Sequence, residues 1–209
     1  MHPLRLFDSD QPTSPKKKRS RRLPNFLRDE QANRLLSHCR IEIDAATCPS
    51  KVRAAHRDEI IVHLGLFLGL RVSEMIHLDV THLDLAGGTC FVCQGKGDKD
   101  RYIPIPARFI DTFRAWVAGR TSGLLLQTSK GDALSIETIE WRMRRLGKIA
   151  GLERKLKPHT LRHSAAVRLL ETGADVEVIR EFLGHTNLAT TAVYLHCTAE
   201  RLRKAVDKM

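Results

Sequence analysis

The sequence predicts a mainly α-helical fold carrying one small antiparallel three-stranded β-sheet, an α+β arrangement. Three observations predict it. Apolar residues recur at helical spacing from Phe26 to Leu78 and again after Ser135. Between these stretches, residues 89–94 and 101–105 are rich in β-branched, aromatic and cysteine side chains. The two runs flank GKGDKD at 95–100, which has glycine and charge but no apolar residue, as expected of a hairpin with an exposed tip. No repeat at a solenoid period is visible.

Residues 1–24 read as a tail. They hold Pro3, Pro12, Pro15, Pro24 and the run KKKRSRR at 16–22, with no apolar face to bury. Residues 25–209 read as one domain. Leu27, Ala32, Leu35 and Leu36 mark a first helix, with Asp29 and Glu30 near its start. A second spans about 51–69 and is apolar nearly all round in its C-terminal half, the mark of a buried helix. A third starts near Ser73 and carries Met75, Ile76 and Leu78. The third strand of the sheet is expected at 124–127. Later helices are expected to break at 151–158, Gly173 and Gly184, with Thr160 and Asp175 as caps. Trp116 and Trp141 fall at helical positions and are expected in the core. Residues 198–207 form a short C-terminal helix by pattern.

The net charge of the 209 residues is +11 at pH 7. A compact chain with that charge repels itself unless a polyanion is its usual partner, so double-stranded DNA is the expected partner and a membrane is not. The longest apolar run, 60–70, is too short to span a bilayer and is interrupted by His63, Gly65 and Gly69. The first ten residues lack the charged start and apolar core of a secretion signal, and five scattered cysteines suit reduced thiols, so a cytoplasmic location is expected. Cys90 and Cys93 form a lone CxxC without a second ligand pair. Two strand cysteines in or near a core are the favoured reading over a metal site. The basic run is either a solubilising tail or an arm along DNA phosphates, in which Lys16, Lys17, Lys18, Arg19, Arg21 and Arg22 make the contacts.

Chemistry concentrates in two segments. In KPHTLRH, residues 157–163, His159 and Arg162 lie three apart at a helix start and project to one side, beside backbone N–H groups that favour an anion. Arg71 directly follows the buried helix in GLRVSE, where an arginine needs a fixed anion or a carboxylate. Glu74, three residues on, orients it or simply forms a surface pair with it. His185 follows Gly184 in a turn, and Tyr194 comes nine residues later. His38, His56, His63, His77, His82 and His163 show no ligand-like grouping and read as surface or satisfied core residues.

Taken together, GLRVSE, GKGDKDRYIPIP, HTLRH, LGH and AVYLH, in that order over about 24–200, resemble the tyrosine recombinases, or phage integrase family. The resemblance implies the catalytic-domain fold of that family, and DNA strand cleavage and rejoining through a covalent 3′-phosphotyrosine. It implies Arg71 and Arg162 as a clamp on the scissile phosphate, and Lys96 as general acid for the leaving 5′ oxygen. It further implies His159 as an aid to tyrosine deprotonation, His185 as a hydrogen-bond donor to a non-bridging oxygen, and Tyr194 as nucleophile. Lys99 is the rival to Lys96. Lys99 and Arg101 are otherwise expected to touch backbone phosphates.

The chemistry fits without cofactor or metal. Guanidiniums offer planar forks to phosphate oxygens, and a phenol of pKa about 10 needs cations or a base nearby to attack at neutral pH. The covalent link conserves the phosphodiester energy, so ATP is not required. Family members usually carry a further helical domain before this one. Only the basic tail precedes it here, as in naturally single-domain members or a shortened chain. The resemblance implies a homotetramer on DNA that is a monomer or weak oligomer when free. Two other functions remain open: a type IB topoisomerase-like relaxase, and a non-catalytic DNA-binding accessory factor.

Overall fold

The computed structural model describes residues 25–93 and 100–184. The basic run 16–22, Lys96, Lys99, His185, Tyr194 and the expected C-terminal helix lie outside these residues.

Helix α1 (Asp29–Asp44) opens with Asp29 and Glu30 in its first turn, where the positive end of the helix dipole favours them. It buries Ala32, Leu35 and Cys39. Helix α2 (Pro49–Leu66) starts on a proline, whose fixed φ and missing N–H cost nothing at that position. From Asp58 to Leu66 every residue of α2 is buried, so it forms the central rod of the domain. Arg142 and Arg145 reach Asp58 from α5 (Ile136–Ile149), at 2.7 and 3.5 Å, and burial pushes the Asp58 pKa up. These ion pairs set α5 against α2.

Helix α3 (Val72–His77) and a short 3-10 turn (Val80–His82) lead into an antiparallel sheet of order β1 (Leu83–Asp84), β2 (Thr89–Val92) and β3 (Arg101–Pro104). The fold class expected from sequence is observed, but its third strand is β1 and not residues 124–127. In that stretch Leu125 and Leu126 are both fully buried, so the side chains do not alternate as a half-buried strand requires. Leu124 and Gln127 form only isolated bridges, to Asp79 and Ala133.

Helix α4 (Ile110–Val117), of which the sequence marks only Trp116 as a helical position, buries Phe113, Trp116 and Val117. The signal was present in the spacing of Phe109, Phe113, Trp116 and Val117 after Pro106. Trp116 is a core residue, and its Nε1 donates to the Leu125 carbonyl at 2.9 Å. Trp141 corrects the expectation. It is 56% exposed, because the buried stripe of α5 is Ile139, Met143 and Leu146, and Trp141 sits on the far side of the helix.

Helix α6 (Pro158–Thr172) begins one turn earlier than a Thr160 cap would require. Its N-cap is Lys157 with Pro158 as first helical residue, and Thr160 is buried inside. It ends at Gly173, whose φ of +102° closes the helix. Asp175 precedes α7 (Val176–Leu183) as N-cap, but its side chain makes no cap hydrogen bond.

Candidate active site

The site is built where α2 ends, α6 begins and α7 ends. Helices α2 and α6 cross tightly at Gly65: a Cβ there would lie 2.8 Å from the Leu161 Cβ. Past α2, the chain turns through Gly69 at φ +62°, a left-handed conformation that L side chains rarely adopt. That turn delivers Arg71 to the N-cap of α3.

Glu74 sits one turn into α3. Its Oε2 accepts the Arg71 backbone N–H at 2.8 Å, and its Oε1 accepts Arg71 Nη1 at 2.9 Å. The Glu74 side chain is only 7% exposed, so this is no surface pair, and Glu74 orients Arg71. Arg162, on α6, donates from Nη1 to the Gly69 carbonyl at 2.6 Å and lies 3.7 Å from Glu74 Oε2. Arg71 and Arg162, from separate elements, thus converge on one carboxylate.

The third guanidinium there is Arg101. Sequence reasoning placed it at the hairpin tip facing phosphate. The structure corrects this, since Arg101 is 7% exposed. Along β3, Arg101 and Ile103 point inward while Tyr102 and Pro104 point out, and Arg101 pairs in register with buried Val92. The alternation R-Y-I-P was readable, and it puts Arg101 on the face of Ile103. Arg101 Nη1 and Nη2 donate to Glu74 Oε1 and Oε2 at 3.1 and 3.0 Å, a two-pronged pair.

All three arginines also hold the end of α7. Phe182 O accepts from Arg101 Nε at 2.9 Å, Leu183 O from Arg162 Nη2 at 2.5 Å, and Gly184 O from Arg71 Nη2 at 3.1 Å. A helix C-terminus carries unpaired carbonyls and partial negative charge, so cations are favoured there. The residue that follows Gly184 is His185.

His159 is the second residue of α6 and is exposed, whereas Arg162 is 4% exposed. The two are near each other, yet the helix start presents the imidazole outward and the guanidinium inward. Burial, then His159 and Arg162, lower the pKa of His163, one turn beyond His159, so it favours the neutral form. His63 is a core residue stacked on Phe109 at 4.3 Å, and its Nδ1 has no hydrogen-bond partner among the described residues.

Cys90 is buried and Cys93 exposed, as an offset of three along an extended chain dictates. Burial pushes the Cys90 thiol up to about 12. Among the described residues no three His, Cys, Asp or Glu side chains are grouped to hold a metal, and no helix is long and apolar enough to cross a membrane.

A helical domain with a three-stranded antiparallel sheet is the architecture of the tyrosine recombinase catalytic domain. It resembles the catalytic domain of bacteriophage HP1 integrase with a TM-score of 0.59 and 25% identity, covering 87% of this chain and 93% of that one. Residues 25–201 match the phage integrase family, and the chain belongs to that family. The tyrosine recombinase XerA of Thermococcus kodakarensis is 41% identical over 193 residues, spanning 90% of this chain and 64% of that protein. The XerH site-specific recombinase, solved bound to palindromic difH substrate as a post-cleavage complex, matches with a TM-score of 0.75 and 28% identity. That match covers 91% of this chain and 55% of that one. The chain therefore spans less than two thirds of the length of these two recombinases.

Proposed function

We propose that this chain cuts and rejoins DNA as the catalytic part of a site-specific recombinase. The observation that carries the proposal is the convergence of Arg71 and Arg162. They come from elements far apart in sequence, yet both donate to the last carbonyls of α7, just before His185, with Glu74 bonded to Arg71 and 3.7 Å from Arg162. Family membership supports it, as does the likeness to a recombinase solved on DNA.

In the proposed reaction the Tyr194 oxygen attacks the scissile phosphorus, and the bond to the 5′ oxygen breaks. The phosphate stays on Tyr194 as a 3′-phosphotyrosine. His159 assists removal of the phenolic proton, Lys96 gives a proton to the leaving oxygen, and Arg71, Arg162 and His185 neutralise charge on the non-bridging oxygens. Preorganised donors of this kind contribute on the order of 3 kcal/mol each. Attack by the free 5′ hydroxyl of another strand reverses the step, and bond energy is conserved throughout. Exchange between two duplexes requires four strand cuts, and one nucleophile per copy gives a homotetramer on DNA, with a monomer or weak oligomer when free. The basic residues 16–22 and Lys99 meet backbone phosphates, and the enzyme works in the cytoplasm.

The test is covalent trapping. The full chain is incubated with nicked genomic DNA of its source, quenched with denaturant, and resolved on a denaturing gel. A protein–DNA adduct is expected with the natural chain and none with Tyr194→Phe, whose DNA affinity should be nearly unchanged because no positive charge is lost. Equal adduct from both proteins would refute Tyr194 as nucleophile.

A further inference from the structure

Three guanidiniums share one carboxylate at the centre of the site. Each Glu74 oxygen accepts from both Arg71 and Arg101: Oε1 from the two side chains, and Oε2 from the Arg71 backbone and the Arg101 side chain. The cluster of Arg71, Arg101, Arg162 and Glu74 carries a formal charge of +2, three cations less one anion. Arg101 differs from the other two. Both its terminal nitrogens point at Glu74, its Nε is committed to Phe182, and its side chain is 5% exposed. A DNA phosphate therefore cannot reach it.

A carboxylate beside a phosphate-binding pair is a competitor. Glu74 Oε2 lies 3.7 Å from Arg162 Nη1, close enough to draw that guanidinium off the Gly69 and Leu183 carbonyls if the carboxylate lost its other partners. Arg101 prevents this by completing, with Arg71, the hydrogen bonding of both oxygens. It also ties β3 to the last turn of α7, so the hairpin and the segment entering His185 share one anchor.

We propose that Arg101 is a positioning residue: it holds Glu74 away from Arg162 and so keeps the two-arginine clamp available for phosphate. The proposal rests on the strand-cutting function proposed above. Its consequence is specific. Removing Arg101 should damage cleavage chiefly because Glu74, then held by Arg71 alone, can pair with Arg162 as well, and removing the Glu74 charge should undo that damage.

The experiment compares the full chain with Arg101→Met, Glu74→Gln and the double variant. The substrate is a nicked duplex recovered in the covalent trap, in single turnover at saturating protein. Adduct formation by Arg101→Met is expected to fall more than tenfold with little change in DNA affinity. The double variant should recover most of the loss, whereas a merely structural role would make the double variant no better than Arg101→Met. If Arg101→Met does not fold by thermal melting, Arg101→Lys replaces it, since an ammonium keeps the charge but cannot span both oxygens. A second arm needs no DNA. The Arg162 Nε–H signal in 15N spectra should shift in Arg101→Met and return in the double variant. Wild-type cleavage by the single variant, no rescue in the double, or an unmoved Arg162 signal overturns the proposal. Absence of any adduct from the natural chain would instead overturn the strand-cutting function, and the spectral arm would still decide the role of Arg101.

Discussion

Arg162 donates to the Gly69 carbonyl across 2.6 Å, so the second arginine of the proposed clamp is fixed by the same turn that delivers the first. Replacing it leaves two buried carbonyls, Gly69 and Leu183, without a donor. Arg162→Ala is therefore expected to lose roughly 2–3 kcal/mol of stability in urea unfolding, besides slowing adduct formation on the order of a hundredfold. Arg162→Lys should restore little of either, because an ammonium cannot serve both carbonyls and a phosphate oxygen in one plane. A stability equal to the natural protein's in Arg162→Ala would show that the carbonyl contacts contribute nothing.

Arg71 has a different balance. Its side chain is 27% exposed, and Glu74 and Gly184 already hold it. Arg71→Ala should slow cleavage about a hundredfold while costing less stability than Arg162→Ala. Denaturation midpoints of the two variants, measured side by side, check the order.

Lys96→Ala is expected to fail on ordinary DNA and recover on DNA with a bridging sulfur at the scissile 5′ position, since a thiolate leaves without a proton. If Lys99→Ala shows that rescue and Lys96→Ala does not, the acid is Lys99.

The basic run 16–22 should set the salt response. Six basic residues in seven can neutralise several phosphates, each adding close to one unit to the log–log slope of affinity against salt. Removing the first 22 residues should flatten that slope. An unchanged slope would make the run a solubilising tail.

His63 should make the fold acid-sensitive. Burial, with smaller contributions from Arg40 and Arg108, lowers its pKa from 6.5 to about 4. Between those values the unfolded chain binds a proton that the folded one refuses, so stability is full above pH 6.5 and falls as pH drops toward 4. The loss is on the order of 3 kcal/mol. His63→Leu should flatten that part of the profile in urea melts at pH 7 and pH 4.5. A slope as steep as in the natural chain would place the acid sensitivity elsewhere.

Much of the fold was legible because its signals are local. The buried rod of α2, the stop at Gly173, the two hairpin strands and the turn at Gly184 each follow from periodicity or from one residue's backbone preference. Expectations failed where the partner decides. Leu125 and Leu126 read as strand, but both are fully buried and do not alternate, and two residues of β1 complete the sheet instead. Trp141 read as core from its size, yet its angular position on α5 puts it in solvent.

The sequence by itself determined which residues are proposed for the site, because the blocks around Arg71, Lys96, Arg162, His185 and Tyr194 are contiguous and ordered along the chain. Only the tertiary structure decided how three of the arginines are used. Arg101 meets Glu74 across 27 residues and Phe182 across 81, Arg162 meets Gly69 across 93, and Arg71 meets Gly184 across 113. No local propensity encodes such contacts. They exist because α6 crosses α2 on one side and packs against α7 on the other. That packing turns the carbonyl end of one helix toward three cations and leaves one buried carboxylate among them.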